Sequence, residues 1–154
     1  MSLRFVTRSR PKVDRVACPW LVARFVDADA EFHFVPASEV ARRARELDAI
    51  PFDVEGVELS HAGGCCSFDA FLEKFDLADP ALHRLATIVR GADTARLDLA
   101  PECAGLLAVS LGLAQLYEDD HAQLAAGFPV YDALYAWLTR ARGETRTWNP
   151  QRGS

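Results

Sequence analysis

The sequence predicts an α+β fold: a predominantly helical single domain with a small β-sheet drawn from its N-terminal half. Three observations predict it. Short alternating apolar runs occur only before residue 60, apolar residues recur at helical spacing from residue 79 onward, and half of the 154 residues are apolar, enough for one core without staples.

Taken in order, residues 3–7 form a strand and residues 8–12 a basic, Pro-containing connector. Asp14 suits a helix N-cap, because its carboxylate can accept amide hydrogens of a first turn. Pro19 sits five residues on and would break a helix begun there, so the expected start is near Cys18, with Pro19 in the first turn and an end near Asp27. Residues 31–35 alternate as a strand, with Phe32 and Phe34 on one face and His33 on the other. A charged helix follows over 39–47. Phe52, Val54, Val57 and Leu59 around Glu55-Gly56 suggest a hairpin over 51–60. A glycine-containing loop occupies 61–66, and Ser67 is expected to cap a helix carrying Phe68, Phe71, Leu72 and Phe75. Pro80 opens a helix with a stripe of Leu82, Leu85, Ile88 and Val89, interrupted at 91–94. Pro101 opens the next, to about Tyr117, and a last helix spans roughly 130–142. The domain is thus 1–142, followed by a flexible polar tail at 143–154.

The charge balance excludes some functions. A net charge of −5 argues against a stand-alone nucleic-acid binder, which needs a basic surface to displace counterions. No apolar stretch reaches the roughly 18 residues a membrane span needs. The N-terminus lacks the order of a signal peptide, so a cytoplasmic location is expected. Four cysteines, none in a C-x-x-C pair, read as reduced thiols there.

Four segments carry candidate chemistry. In Ser60-His61-Ala62-Gly63-Gly64-Cys65-Cys66-Ser67-Phe68-Asp69, a histidine precedes two glycines and a thiol at a helix start. His61 and Cys66 can share a metal there, or backbone amides can hold an oxyanion; a plain turn with inward-packed cysteines is the alternative. In Glu118-Asp119-Asp120-His121, helical spacing would put Glu118 and His121 on one face as ligands, or leave an acidic helix end in water. Around 89–94, Arg90 can fork onto an oxyanion and Asp93 can ligate a metal or orient a histidine; the alternative is helix C-capping at Gly91 and N-capping by Asp93 or Thr94. Around 13–20, Cys18 lies near a helix start with Arg15 close by, while Asp14 and Arg15 can form a structural ion pair.

Val-Asp-Arg-Val-Ala-Cys-Pro-Trp-Leu-Val at 13–22, Ala-Glu-Phe-His-Phe-Val-Pro at 30–36, Glu-Leu-Ser-His at 58–61, Cys-Ser-Phe-Asp at 66–69, Ile-Val-Arg-Gly-Ala-Asp-Thr at 88–94 and Val-Tyr-Asp-Ala-Leu-Tyr-Ala-Trp at 130–137 together resemble the C-terminal domain of ChrB-type chromate-resistance proteins. The resemblance runs from about residue 5 to 137. It implies a cytoplasmic role in chromate resistance, often beside a chromate efflux transporter. Family members that regulate transcription carry an additional N-terminal region. The resemblance here starts almost at Met1, so direct nucleic-acid binding is not expected, nor is membrane association.

Residues and resemblance together lead to one expected constellation. His61, Asp93 and His121 would hold one divalent transition-metal ion. Arg15, Arg90 and Cys66 would meet an oxyanion or substrate such as chromate. Asp14, Cys18, Asp69 and Asp120 would support them. The expected function is a metal- or oxyanion-binding sensor in chromate resistance, acting with a protein partner. The alternatives are a metal- or thiol-dependent enzyme of chromate detoxification, or an interaction module using exposed aromatics such as Trp148.

Overall fold

The computed structural model of the chain describes residues 2–146; Trp148 and most of the expected tail lie outside that range. The architecture is α+β and mostly helical. Strand β1 (Arg4–Arg8) leads to helix α1 (Asp14–Phe25), strand β2 (Glu31–Val35), a 3-10 turn (Ala37–Glu39), helix α2 (Val40–Leu47) and the short strand β3 (Ile50–Pro51). Helices α3 (Ser67–Lys74), α4 (Pro80–Asp93), α5 (Cys103–Leu116) and α6 (Asp120–Ala136) follow, the last running into a π-turn at Trp137–Ala141.

The sheet is parallel with order β2-β1-β3, β1 pairing residue for residue with β2 from Arg4↔Glu31 to Arg8↔Val35. Parallel neighbours need a crossover, and α1 and α2 supply the two that this sheet requires. The hairpin expected over 51–60 does not form. Ile50 and Pro51 instead pair with Phe5 and Val6, and Phe52 meets Leu59 in an isolated parallel bridge. Asp53 adopts the left-handed region, φ 54°, which turns the chain just after β3. That turn is held by the Asp53 amide donating to the Leu59 carbonyl at 2.7 Å and by burial of Phe52 and Leu59.

Four helix boundaries also differ from expectation. Helix α1 starts at Asp14 and carries Pro19 inside it. Proline deprives the Arg15 carbonyl of its usual intrahelical donor, but the turn before it is fixed from outside. The Val16 and Ala17 amides both bond the Val13 carbonyl, and Asp14 is wholly buried against α3. Helix α4 runs through Gly91 to Asp93 without a break. A Cβ on Gly91 would collide with Cys103 Sγ and come within 2.7 Å of the Arg96 carbonyl oxygen, so this glycine admits the start of α5 rather than ending α4. Helix α6 begins at Asp120 and contains Pro129, ten residues earlier than the periodicity suggested. The N-cap of α3 is Cys66 rather than Ser67: the Cys66 amide donates to Asp69 Oδ2 at 2.9 Å, closing a capping box.

The main core joins both halves. Phe5, Phe52 and Phe71 pack edge-on or tilted at 5.4–6.2 Å between ring centroids, and Trp20 lies 5.9 Å from Tyr131. This core clamps the start of α1, the turn after β3, the loop before α3 and the end of α4 against one another.

Candidate metal centre

Those four segments each deliver one side chain to the same point. His61 comes from the loop before α3, Asp14 from the first turn of α1, Asp53 from the turn after β3 and Asp93 from the last turn of α4. His61 Nε2 lies 3.0 Å from Asp93 Oδ2, 3.1 Å from Asp53 Oδ1 and 3.5 Å from Asp14 Oδ2. Three carboxylates thus surround one imidazole nitrogen.

Each carboxylate is held by other contacts. Asp14 is fully buried. Its Oδ2 accepts the Ser67 amide at 2.8 Å and its Oδ1 the Phe68 amide at 3.0 Å, so it supplies first-turn acceptors to α3. The Asp14 amide in turn donates to Asp93 Oδ1 at 3.4 Å. Asp53 accepts from the Ser67 hydroxyl at 2.7 Å and pairs with Arg8 at 2.9 Å and Arg15 at 3.3 Å.

The charges perturb one another. The hydrogen bond to Asp14, then the charges of Asp14, Asp53 and Asp93, raise the His61 pKa to about 9 against the opposing effect of burial. Burial, then repulsion from Asp14 and Asp53, raises the Asp93 carboxyl to about 7. Burial also raises Asp14. Burial is the largest cause for both acids and repulsion between carboxylates adds to it, while the same carboxylates favour the proton on His61. Ligand atoms of Asp14, His61 and Asp93 lie within 4.8 Å of one another, close enough for one ion to reach all three. One imidazole nitrogen with two carboxylates suits a divalent transition metal of borderline or hard character. His61 is 40% exposed and lines an open groove of about 670 Å³ with Arg8, Asp53, Gly56 and Ser60.

The other expected site residues fall elsewhere. His121 does not join this cluster among the described residues; it is exposed, with its ring 5.4 Å from that of Phe34. Glu118 precedes α6, so it does not share a helix with His121. Asp120 Oδ1 accepts the Arg10 amide at 3.1 Å. The guanidinium of Arg90 meets both Asp69 carboxylate oxygens, at 3.0 and 3.1 Å. Arg15 pairs with Asp53 and donates to the carbonyls of Arg8, Ser9 and Arg10. Arg15 therefore spends its donors inside the chain, and Arg90 commits Nη1 to Asp69.

The candidate thiols Cys18 and Cys66 are inert by environment. Cys66 donates through Sγ to Asp69 and Cys18 to Asp14, both at 3.4 Å, and both residues are fully buried. Burial pushes each thiol well above its ordinary range, so neither is a thiolate near neutral pH.

Asp53 is the member that sequence reasoning missed. Reading 51–60 as a hairpin gave Asp53 no role. Its neighbours Pro51 and Phe52 were the available signal, since a proline suits only the edge of a sheet.

Comparison with known proteins places the chain in a context. The family described as "ChrB, C-terminal domain" matches residues 5–138. Protein ChrB of Cupriavidus metallidurans is 34% identical over 140 residues, covering 90% of this chain and 42% of that protein. The chain therefore spans less than half the length of this relative. No solved structure matches.

Proposed function

The chain belongs to the ChrB C-terminal domain family, and on that footing we propose that it serves chromate resistance as a sensor domain holding one divalent transition-metal ion between Asp14, His61 and Asp93. The observation that carries this reading is the convergence of three carboxylates on His61 Nε2. Electrostatics favours a cation over an oxyanion at that point. A dianion would face Asp14, Asp53 and Asp93, and the two arginines best suited to receive it are already paired with Asp53 and Asp69.

Binding here has a route to the fold. Asp14 touches both the ion site and the amides that begin α3, so a change in its charge alters the joint between α1 and α3. The groove that opens beside His61 leaves room for a small molecule next to the ion. The role is proposed for the cytoplasm; among the described residues no helix is long and apolar enough to cross a membrane. A protein partner or the remainder of a longer relative would read the bound state.

Calorimetry with manganese, iron(II), zinc, nickel and chromate, beside elemental analysis of the purified chain, tests the proposal. The expected result is one divalent ion per chain, lost in His61→Ala and Asp93→Asn, with no chromate binding to the metal-free protein. A folded sample that takes up none of these ions overturns it.

The open groove beside His61 favours one second reading, a metal-dependent enzyme of chromate detoxification. Metal-dependent turnover that disappears in His61→Ala distinguishes it from a sensor. The thiol-dependent version has little support, because Cys18 and Cys66 are buried and protonated.

A further inference from the structure

Helices α1, α5 and α6 border a second, much smaller cavity of about 10 Å³, whose lining includes Val16, Ser110, Gln123, Gly127 and Tyr131. A space of roughly 10–15 Å³ on this scale takes one water molecule, provided that polar partners face it. Helix α6 closes onto α1 beside it, where a Cβ on Gly127 would stand 2.8 Å from Val16 Cγ1.

The polar groups here are buried, and all but one of their roles are filled. Gln123 is 1% exposed, and its amide nitrogen donates to the Pro11 carbonyl. A carbonyl can only accept, so this bond fixes which way the Gln123 amide is turned. Its Oε1 is left without a hydrogen-bond donor among the described residues. The Tyr131 hydroxyl donates to the Val13 carbonyl at 3.0 Å and accepts from the Ser110 side chain. Ser110 has then spent its proton and keeps lone pairs that can accept. Two acceptors, one of them an orphan, border a space the size of one water, and a buried acceptor without a donor is destabilising.

Both carbonyls gripped by these side chains, Pro11 and Val13, belong to the stretch directly before Asp14. Val13 has φ 42°, which a β-branched residue adopts only where its surroundings impose it. Its carbonyl accepts three times, from the Val16 and Ala17 amides at 3.1 and 2.8 Å and from Tyr131. The conformation at Val13 sets where Asp14 leaves the chain.

We propose that this cavity binds one water molecule, which donates to Gln123 Oε1 and to Ser110 Oγ, and that Gln123, Ser110 and Tyr131 thereby act as positioning residues for Asp14. The water completes an unbroken run of hydrogen bonds. It leads from the Pro11 carbonyl through Gln123, the water, Ser110 and Tyr131 to the Val13 carbonyl. The run holds both ends of residues 11–13. It therefore reaches the Asp14 carboxylate, and with it the Ser67 and Phe68 amides that Asp14 accepts, without touching any of them.

Two measurements on the full chain, both without added metal, test this. A high-resolution crystal structure is expected to show one water within hydrogen-bond distance of Gln123 Oε1 and Ser110 Oγ; no density at that point overturns the water site. Amide hydrogen exchange tests the positioning role. Gln123→Leu is expected to speed exchange at Ser67 and Phe68 at least about 10-fold more than at Leu85 and Val89 in the core of α4, which follow global unfolding. Ser110→Ala, a milder change that removes one acceptor for the water, is expected to act in the same direction and keeps the test open if Gln123→Leu does not fold. Exchange at Ser67 and Phe68 that rises only in step with Leu85 and Val89 overturns the positioning role. Neither outcome depends on whether an ion binds at His61.

Discussion

The Asp14 carboxylate caps a helix other than its own: Oδ2 accepts the Ser67 amide hydrogen at 2.8 Å, across 53 residues of chain. Oδ1 does the same for Phe68. A single buried acid thereby ties the start of α1 to the start of α3 and also stands 3.5 Å from His61. Structural and ligand roles coincide in it, and variants can separate the two.

Asp14→Ala leaves two buried amides without acceptors, each worth about 1–3 kcal/mol. The expected loss is roughly 2–5 kcal/mol, read as a lower midpoint in urea. Asp14→Asn keeps one acceptor oxygen and removes a charge that burial already disfavours. It is expected to cost less stability while still weakening metal binding.

The pH dependence of the metal-free protein follows from His61. Its folded pKa, about 9, lies above the ordinary value of 6.5, so the folded state holds the proton more tightly. That contribution is fully present below about pH 6.5 and is lost as pH rises toward 9. Asp93, raised to about 7, acts in the same direction at lower pH, because the folded state resists losing its proton. Thermal melts should therefore show stability falling from pH 6 to pH 9, and His61→Gln should flatten the upper part of the fall. A divalent ion needs His61 deprotonated, so its stabilising effect should grow over the same interval.

Metal affinity should rank the four residues. Asp53 contacts His61 and is held by Ser67, Arg8 and Arg15, which makes it an outer partner in this reading. Asp53→Asn is expected to weaken binding by about 10–100-fold. His61→Ala and Asp93→Asn, which delete ligands, should weaken it further. His121→Ala should leave it unchanged. Competition titration against a fluorescent chelator measures all four.

Thiol reactivity offers a direct check on the chemistry. Cys65 is exposed; Cys18, Cys66 and Cys103 are buried. An aromatic disulfide reagent should therefore modify one thiol quickly in the native chain and the other three only on unfolding. Fast modification of Cys18 or Cys66 would revive a thiol-dependent role.

Much of the fold was legible because local patterning and tertiary demand agreed. Alternation placed β2, helical spacing placed α2 and most of α4 and α5, and Pro80 marked the start of α4. Reading failed where a distant contact overruled a local rule. Pro19 argued against a helix from Asp14, but α3 holds that turn in place. Gly91 looked like a helix end, but it is the gap into which Cys103 fits. The 51–60 segment looked like a hairpin, but β1 took its first residues as a parallel neighbour.

His61 and Asp93 were legible as site candidates from a histidine beside glycines and an acid near a helix end, and the family from six separated segments. Their meeting point was not, because it depends on four segments being packed together by one aromatic core. Only that packing decided that Asp14 and Asp53 join His61 while His121 stands apart against Phe34. A sequence states which groups can bear charge; the folded core decides which of those charges must share a space poor in water, and so where a cation is wanted.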